Sequence, residues 1–174
     1  MKEYQKKRIL VFLTPESDPL GSGYHVIQSK IAVGSGQLWG KGFLNGTQNQ
    51  LGYLPTKYTD FIFSAIGEEM GYVGCFLVLI MLAAVIARCI WVGCQSPDYM
   101  RRMVCFGAAA ALIFQVFVNV GMCIGLVPVI GLTLPLISYG GSSVVTIYAM
   151  LGLVSGVHAR PAPTSHERYI RPLR

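Results

Sequence analysis

Residues 103–159 read MVCFGAAAALIFQVFVNVGMCIGLVPVIGLTLPLISYGGSSVVTIYAMLGLVSGVHA, 57 consecutive positions without a single Asp, Glu, Lys or Arg. A soluble domain carries roughly one charged residue in four, so no water-facing surface can be built from such a run. It belongs in a bilayer. An α-helix rises about 1.5 Å per residue and needs about 20 apolar residues to cross about 30 Å of hydrocarbon. The run is long enough for two crossings, at 103–127 and 136–157. A third lies upstream at 70–91 (MGYVGCFLVLIMLAAVIARCIW), interrupted only by Arg88, which is close enough to the end to snorkel into the interface. The fold class is therefore an all-α integral membrane protein with three transmembrane helices at about 70–91, 103–127 and 136–157, preceded by a large polar segment.

The second and third crossings are separated by Pro128-Val-Ile-Gly131-Leu-Thr-Leu-Pro135 and then by Gly140-Gly141-Ser142-Ser143. Prolines remove backbone donors and paired glycines loosen a helix, so 128–143 is expected to be broken and partly re-entrant. Backbone of that kind survives at membrane depth only when packed in protein or lining a polar cavity.

The rest of the chain fits this frame. Of its 174 residues 53% are hydrophobic and 13% charged, with a mean hydropathy of +0.52, which excludes disorder. The net charge of +6 comes from scattered basic residues without an aromatic–basic module, so nucleic acid is not an expected partner. The five cysteines are odd in number, lie in or beside apolar segments and lack metal-type spacing, which argues against a disulfide framework or a zinc site. His25, His158 and His166 have no companions that make a metal site or a catalytic dyad.

Arg101 and Arg102 stand between the first two crossings, and Arg160, Arg168, Arg171 and Arg174 follow the third. The positive-inside rule then makes the first loop and the basic tail 159–174 cytoplasmic, and puts 1–67 and 128–143 on the outer face. The seven Lys/Arg of residues 1–69 oppose this, but that segment exceeds the roughly 60 residues over which the rule holds. A 67-residue head without a secretory signal needs a preceding transmembrane helix to cross. Its one apolar run, Ile9–Leu13, is shorter than a signal core. The chain is thus expected to be the C-terminal portion of a larger polytopic protein.

Within the head, turn formers dominate residues 14–60, with one amphipathic helix expected over Tyr24–Val33. Asp60, Ser64 and Glu68 recur every four residues and so would share one helical face at the interface. Thr59 and Asp60 also read simply as an N-cap, and Glu68 and Glu69 as carboxylates solvated by headgroup water. Acidic groups at membrane depth are costly, and costly polar groups there often serve function. Gln115 and Asn119, four apart in the second crossing, read first as interhelical hydrogen-bond partners. Gly67/Gly71, Gly121/Gly125 and Gly152/Gly156 are small-xxx-small pairs suited to close helix contact.

Several separated stretches carry a family resemblance. Asp18-Pro-Leu-Gly-Ser-Gly-Tyr24, Ile31-Ala-Val-Gly-Ser-Gly36, Gly40-Lys-Gly-Phe-Leu-Asn-Gly-Thr-Gln48, Thr59-Asp-Phe-Ile-Phe63, Glu68-Glu69-Met-Gly71 and Leu134-Pro-Leu-Ile-Ser-Tyr-Gly-Gly-Ser-Ser143 resemble the large outer loop and C-terminal signature of the SEDS family, the bacterial shape, elongation, division and sporulation proteins. The Gly-Lys-Gly…Gly-Thr-Gln wording is nearer to the family's elongation members than to its division members. The resemblance implies the last three helices of a roughly ten-span bundle in the bacterial cytoplasmic membrane. It implies a peptidoglycan glycosyltransferase polymerising lipid II into glycan strands for elongation, cell shape and division, with undecaprenyl pyrophosphate as leaving group. The implied partners are a class B penicillin-binding protein and other elongation-complex proteins.

Its aspartate general base falls on Asp60. Beside it, Lys41, Lys57, Glu68, Gln115, Asn119 and Ser142 are read as further substrate-binding candidates, with Lys41 or Lys57 toward the pyrophosphate. No firmly bound cofactor or metal ligand is implied, though a divalent cation (Mg2+ or Mn2+) could assist departure of the pyrophosphate. The family's usual Pro-Glu-x-His-Thr-Asp is here Pro55-Thr-Lys-Tyr-Thr-Asp60, so Thr56 and Tyr58 replace two titratable neighbours. A lipid-linked precursor transporter (flippase) and a non-catalytic scaffold for the penicillin-binding protein are the competing readings.

Overall fold

The structure is a computed structural model that describes residues 22–42 and 59–159. Four helices run through them: α1 (Ser22–Ser35), α2 (Ile62–Gln95), α3 (Tyr99–Ile124) and α4 (Gly141–Ala159), with no strand among the described residues. The last three are long and apolar enough to cross a membrane. Their large apolar side chains point outward as often as inward: Phe76, Phe114 and Phe117 are each at least 60% exposed. Outward apolar faces suit a lipid solvent or further helices, not water.

At 34 residues, α2 would be about 50 Å long, more than one hydrocarbon thickness. It is broken at Gly71, whose φ of 66° and ψ of −165° lie outside helical space and are accessible almost only to glycine. The break divides α2 into an entry helix over 62–70 and a spanning helix over 72–95. The helical start thus precedes the expected crossing at 70–91, because residues 62–70 are themselves helical ahead of the kink.

A break strands backbone groups that the helix would otherwise pair, and in an apolar setting each must find a partner. Residues 36–42, the strap that follows α1, supply them. Lys41 N–H donates to the Glu68 carbonyl (3.0 Å) and Gly42 N–H to that of Glu69 (3.1 Å). In return Tyr72 N–H donates to the Gln37 carbonyl (2.9 Å) and Val73 N–H to that of Leu38 (3.3 Å). The approach is so close that a Cβ on Gly71 would run into the backbone nitrogen of Gly40.

Asp98 caps α3 by accepting from Met100 N–H (3.3 Å), and Gly125, at φ 74°, ends it, so the helix is displaced toward the N-terminus from the expected 103–127. Residues 125–140 are irregular. The third spanning helix starts at Gly141, not at 136, because Pro135 and left-handed Leu136 (φ 66°) precede it.

Two apolar clusters hold the bundle. One, at the α1 end, joins Ala32, Phe61, Phe63, Cys75, Cys123 and Leu134; the other, at the opposite end, joins Cys89, Cys105, Ala108, Leu112, Ile147 and Val154. All five cysteines are free thiols, and only Cys94 is exposed. The glycine pairs behave unequally: Gly67 lies against Val33 of α1, whereas Gly152 and Gly156 face open space among the described residues.

Helix α1 covers the expected Tyr24–Val33 stretch but buries a different face. Ser29 and Ala32 are fully buried, while Ile27 and Ile31 are 36% and 46% exposed. Small residues let the α1 backbone approach α2 closely, and that contact outweighs burying the larger side chains.

Candidate functional site

Asp60 sits in the turn that leads into α2, not on the helix. The N-cap is Phe61, and no side chain caps the helix, so the N-cap expectation for Thr59 and Asp60 fails. Nor do Asp60, Ser64 and Glu68 share one helical face: only Ser64 and Glu68 are helical, and both are fully buried.

What holds Asp60 is its backbone. Its carbonyl accepts from Asn119 Nδ2 at 2.9 Å, and the Cys123 thiol approaches the same oxygen at 3.8 Å. The preceding carbonyl, of Thr59, accepts from Ser138 Oγ at 2.7 Å. Asn119 spends its second N–H on the Leu132 carbonyl (2.7 Å), and Ser138 Oγ accepts from Leu134 N–H (2.8 Å). Two side chains, Asn119 from α3 and Ser138 from the irregular segment, therefore join three backbone stretches around one residue.

The Asp60 side chain is left free by this arrangement. It is half-buried and directed at Gly131, with Oδ2 3.5 Å from where a Cβ on that glycine would stand. Gly131 adopts φ 81°, so the chain can bend past the carboxylate without placing a side chain against it. No donor or cation among the described residues engages the carboxylate. A carboxylate positioned at a chain turn, with no described cation beside it, has the geometry to accept a proton.

A second polar group lies behind it. Ser29 Oγ donates to the Cys123 carbonyl (2.7 Å), so the 2.6 Å contact between Ser29 and Ser64 has Ser64 as donor. Glu68 is 1% exposed at its side chain and pairs with Lys41 at 3.2 Å. The expectation of a headgroup-solvated Glu68 is corrected: burial has exchanged water for an ammonium partner. Lys41, expected toward pyrophosphate, is thereby engaged in holding the strap to α2.

Among the described residues Gln115 and Asn119 do not bond to one another or to a neighbouring helix side chain. Asn119 is the backbone clamp just described, with its Oδ1 buried and unmatched; Gln115 keeps an enclosed Oε1 without a partner. Ser142 is exposed in the first turn of α4, where its carbonyl accepts from Thr146, while Ser143 bonds Thr133 (2.8 Å). Lys57, with Thr56 and Tyr58, lies outside the described residues. Cys123 and Ser138 were not singled out from sequence, because their contacts are to carbonyls far along the chain and leave no local pattern.

Among the described residues no three His, Cys, Asp or Glu come together as a metal-holding group. Asp60 stands as a single carboxylate and Glu68 is matched by Lys41, so the described residues do not fit a divalent cation.

Residues 1–162 match the family model described as cell cycle protein, which covers FtsW, RodA and SpoVE. The peptidoglycan glycosyltransferase MrdB of Escherichia coli K12 is 48% identical over 158 residues, which is 91% of this chain and 43% of that protein. The peptidoglycan glycosyltransferase RodA of Treponema pallidum is 40% identical over 92% of this chain. The chain thus spans less than half the length of the curated relatives it matches. Among solved structures, a peptidoglycan synthase complex coordinating polymerization and crosslinking superposes with a TM-score of 0.73 at 36% identity, over 98% of this chain and 44% of its counterpart. An Asp-to-Ala variant of the Thermus thermophilus rod shape-determining protein RodA gives 0.59 at 29% identity, over 94% of this chain and 60% of its counterpart.

Proposed function

The chain belongs to the FtsW, RodA and SpoVE family of cell cycle proteins, and from that premise we propose that it is the part of a peptidoglycan glycosyltransferase that carries the general base, Asp60. The reading is supported most by one observation: a carboxylate that no described donor or cation engages, on a backbone clamped by Asn119 and Ser138.

The donor is lipid II or the growing strand, whose anomeric carbon bears a polyprenyl pyrophosphate. The acceptor sugar hydroxyl attacks that carbon; its proton passes to the Asp60 carboxylate, the new glycosidic bond forms, and the bond to pyrophosphate breaks with the electron pair leaving on the phosphate oxygen. An α-linked donor and a β-linked product require one displacement with inversion. One carboxylate base then suffices, and no covalent sugar–enzyme intermediate forms. Undecaprenyl pyrophosphate leaves already ionised, so it needs charge stabilisation and no proton. Lys57, three residues before Asp60 in sequence, is the basic side chain proposed for that role.

On this reading residues 1–67 and the 128–143 connection face outward from the cytoplasmic membrane and the basic tail faces inward, as the positive-inside rule favours. The other helices of the complete protein would complete the groove for the lipid chain. A class B penicillin-binding protein is the proposed partner that crosslinks the product.

The test is Asp60→Asn in the complete protein, followed with labelled lipid II. Loss of glycan polymer with membrane insertion and partner binding intact is the expected result. Normal polymer yield would overturn the reading, and flipping of labelled lipid II in liposomes would then separate a transporter from a scaffold.

A further inference from the structure

The end of the bundle opposite Asp60 carries a feature that glycan chemistry does not use. Between α2 and α4 runs an open groove of about 670 Å³, walled by Met81, Ala84, Val85, Leu151 and Val154. Its lining is apolar except at one end. There Arg88 donates from Nη2 to His158 Nε2 at 3.3 Å, and its guanidinium lies 5.3 Å from the centre of the Trp91 ring. An arginine has no acceptor, so in this contact the imidazole nitrogen accepts.

Charge bookkeeping makes this end unusual. Arg101 has Asp98 at 3.6 Å and Arg102 donates to the Ser96 carbonyl at 3.1 Å. Among the described residues no carboxylate pairs with Arg88. Arg88 lies seven residues before the end of α2, about 10 Å along the axis, and His158 is the penultimate residue of α4. A cation thus stands near the end of a spanning helix, at the mouth of a largely apolar slot. A guanidinium binds phosphate oxygens through paired N–H donors, and basic pockets between transmembrane helices are suited to anionic headgroups.

We propose that the α2–α4 groove is a binding site for an anionic phospholipid of the leaflet on the Arg88 side, with one acyl chain against Ala84 and Leu151 and the phosphate on Arg88 and His158. The occupant proposed is a lipid and not a helix of another protein because the slot ends in a cation that no described carboxylate meets. A phosphodiester can meet that cation, and an apolar helix cannot. The inference does not depend on Asp60 being the base.

The experiment uses the complete protein in detergent, titrated with phosphatidylglycerol, phosphatidylcholine or inorganic phosphate and read by native mass spectrometry. Phosphatidylglycerol should be retained over phosphatidylcholine. Arg88→Gln should weaken that retention about fivefold, the factor one cation contributes toward an anionic leaflet. Ala84→Trp, which fills the slot and leaves Arg88 and His158 in place, should weaken it too; helix content by circular dichroism confirms that both variants fold. Equal retention of the two lipids, no effect of either variant, or displacement of phosphatidylglycerol by equimolar inorganic phosphate would each overturn the proposal. So would crosslinking of a Ser155→Cys variant to another span of the protein instead of quenching by chain-labelled lipid.

Discussion

Asn119 Nδ2 stands 2.9 Å from the carbonyl oxygen of Asp60, a contact that ties the middle of the bundle to the candidate base across 59 residues of sequence. The amide holds the backbone of Asp60, and so leaves its carboxylate free to act. The same amide holds Leu132, so that the turn and the irregular segment are fixed relative to each other.

Replacing Asn119 by Ala removes both bonds, leaving the Leu132 carbonyl without this donor and the Asp60 carbonyl with only the distant Cys123 thiol. Each unsatisfied buried group costs about 1–3 kcal/mol. We expect a lowered melting temperature and a fall in polymer yield although Asp60 itself is untouched. Unchanged melting together with unchanged yield would mean that the clamp contributes nothing.

Gly131→Ala should act on Asp60 from the other side. The residue sits at φ 81°, where an L side chain is strained by about 1–2 kcal/mol, and the added methyl would stand 3.5 Å from Oδ2. Reduced turnover with a modest loss of stability is expected. Full turnover would show that the carboxylate does not work in the space over Gly131.

Gly71→Ala should be among the most damaging single-methyl additions in the chain. Its φ of 66° and ψ of −165° cost a non-glycine residue about 1–3 kcal/mol, and the methyl would strike the Gly40 backbone besides. Folded yield, followed by size exclusion of a fluorescent fusion, is predicted to collapse. A normal monodisperse peak would refute the interlocked strap.

The Lys41–Glu68 pair can be weighed by a double-mutant cycle. Lys41→Met leaves a carboxylate that is 1% exposed without its ammonium, whereas Glu68→Gln leaves an ammonium that can still reach water from a side chain 30% exposed. The first substitution should therefore destabilise more. The double variant should recover part of the loss, with a coupling of about 1 kcal/mol. Strict additivity in thermal melts would show that the two side chains do not stabilise each other.

Orientation is testable at a native residue. Cys94 is the one exposed cysteine among the described residues, near the end of α2 and just before the 96–98 connection that leads to Arg101 and Arg102. With cysteines outside this chain removed, an impermeant maleimide added to intact spheroplasts should leave Cys94 unlabelled until the membrane is permeabilised. Labelling from outside would invert the proposed topology and remove Asp60 from the outer face.

The sequence alone determined the all-α membrane class and the three apolar helices, because hydrocarbon transfer is a sum over neighbouring residues, and 57 of them in a row carry no charge. It also brought Asp60 forward, through the words around it. The tertiary structure decided the rest. It put the kink at Gly71 and drew the strap of residues 36–42 across it, because a broken helix must find replacement partners and only the folded chain says where they lie. Glu68 became a buried ion pair with a residue 27 positions away, and Asn119, expected to bridge helices, became the clamp on a turn. Ser29 went inside while Ile31 stayed out. None of these follows from spacing, since each depends on which distant carbonyl, ammonium or backbone the packing brings within about 3 Å.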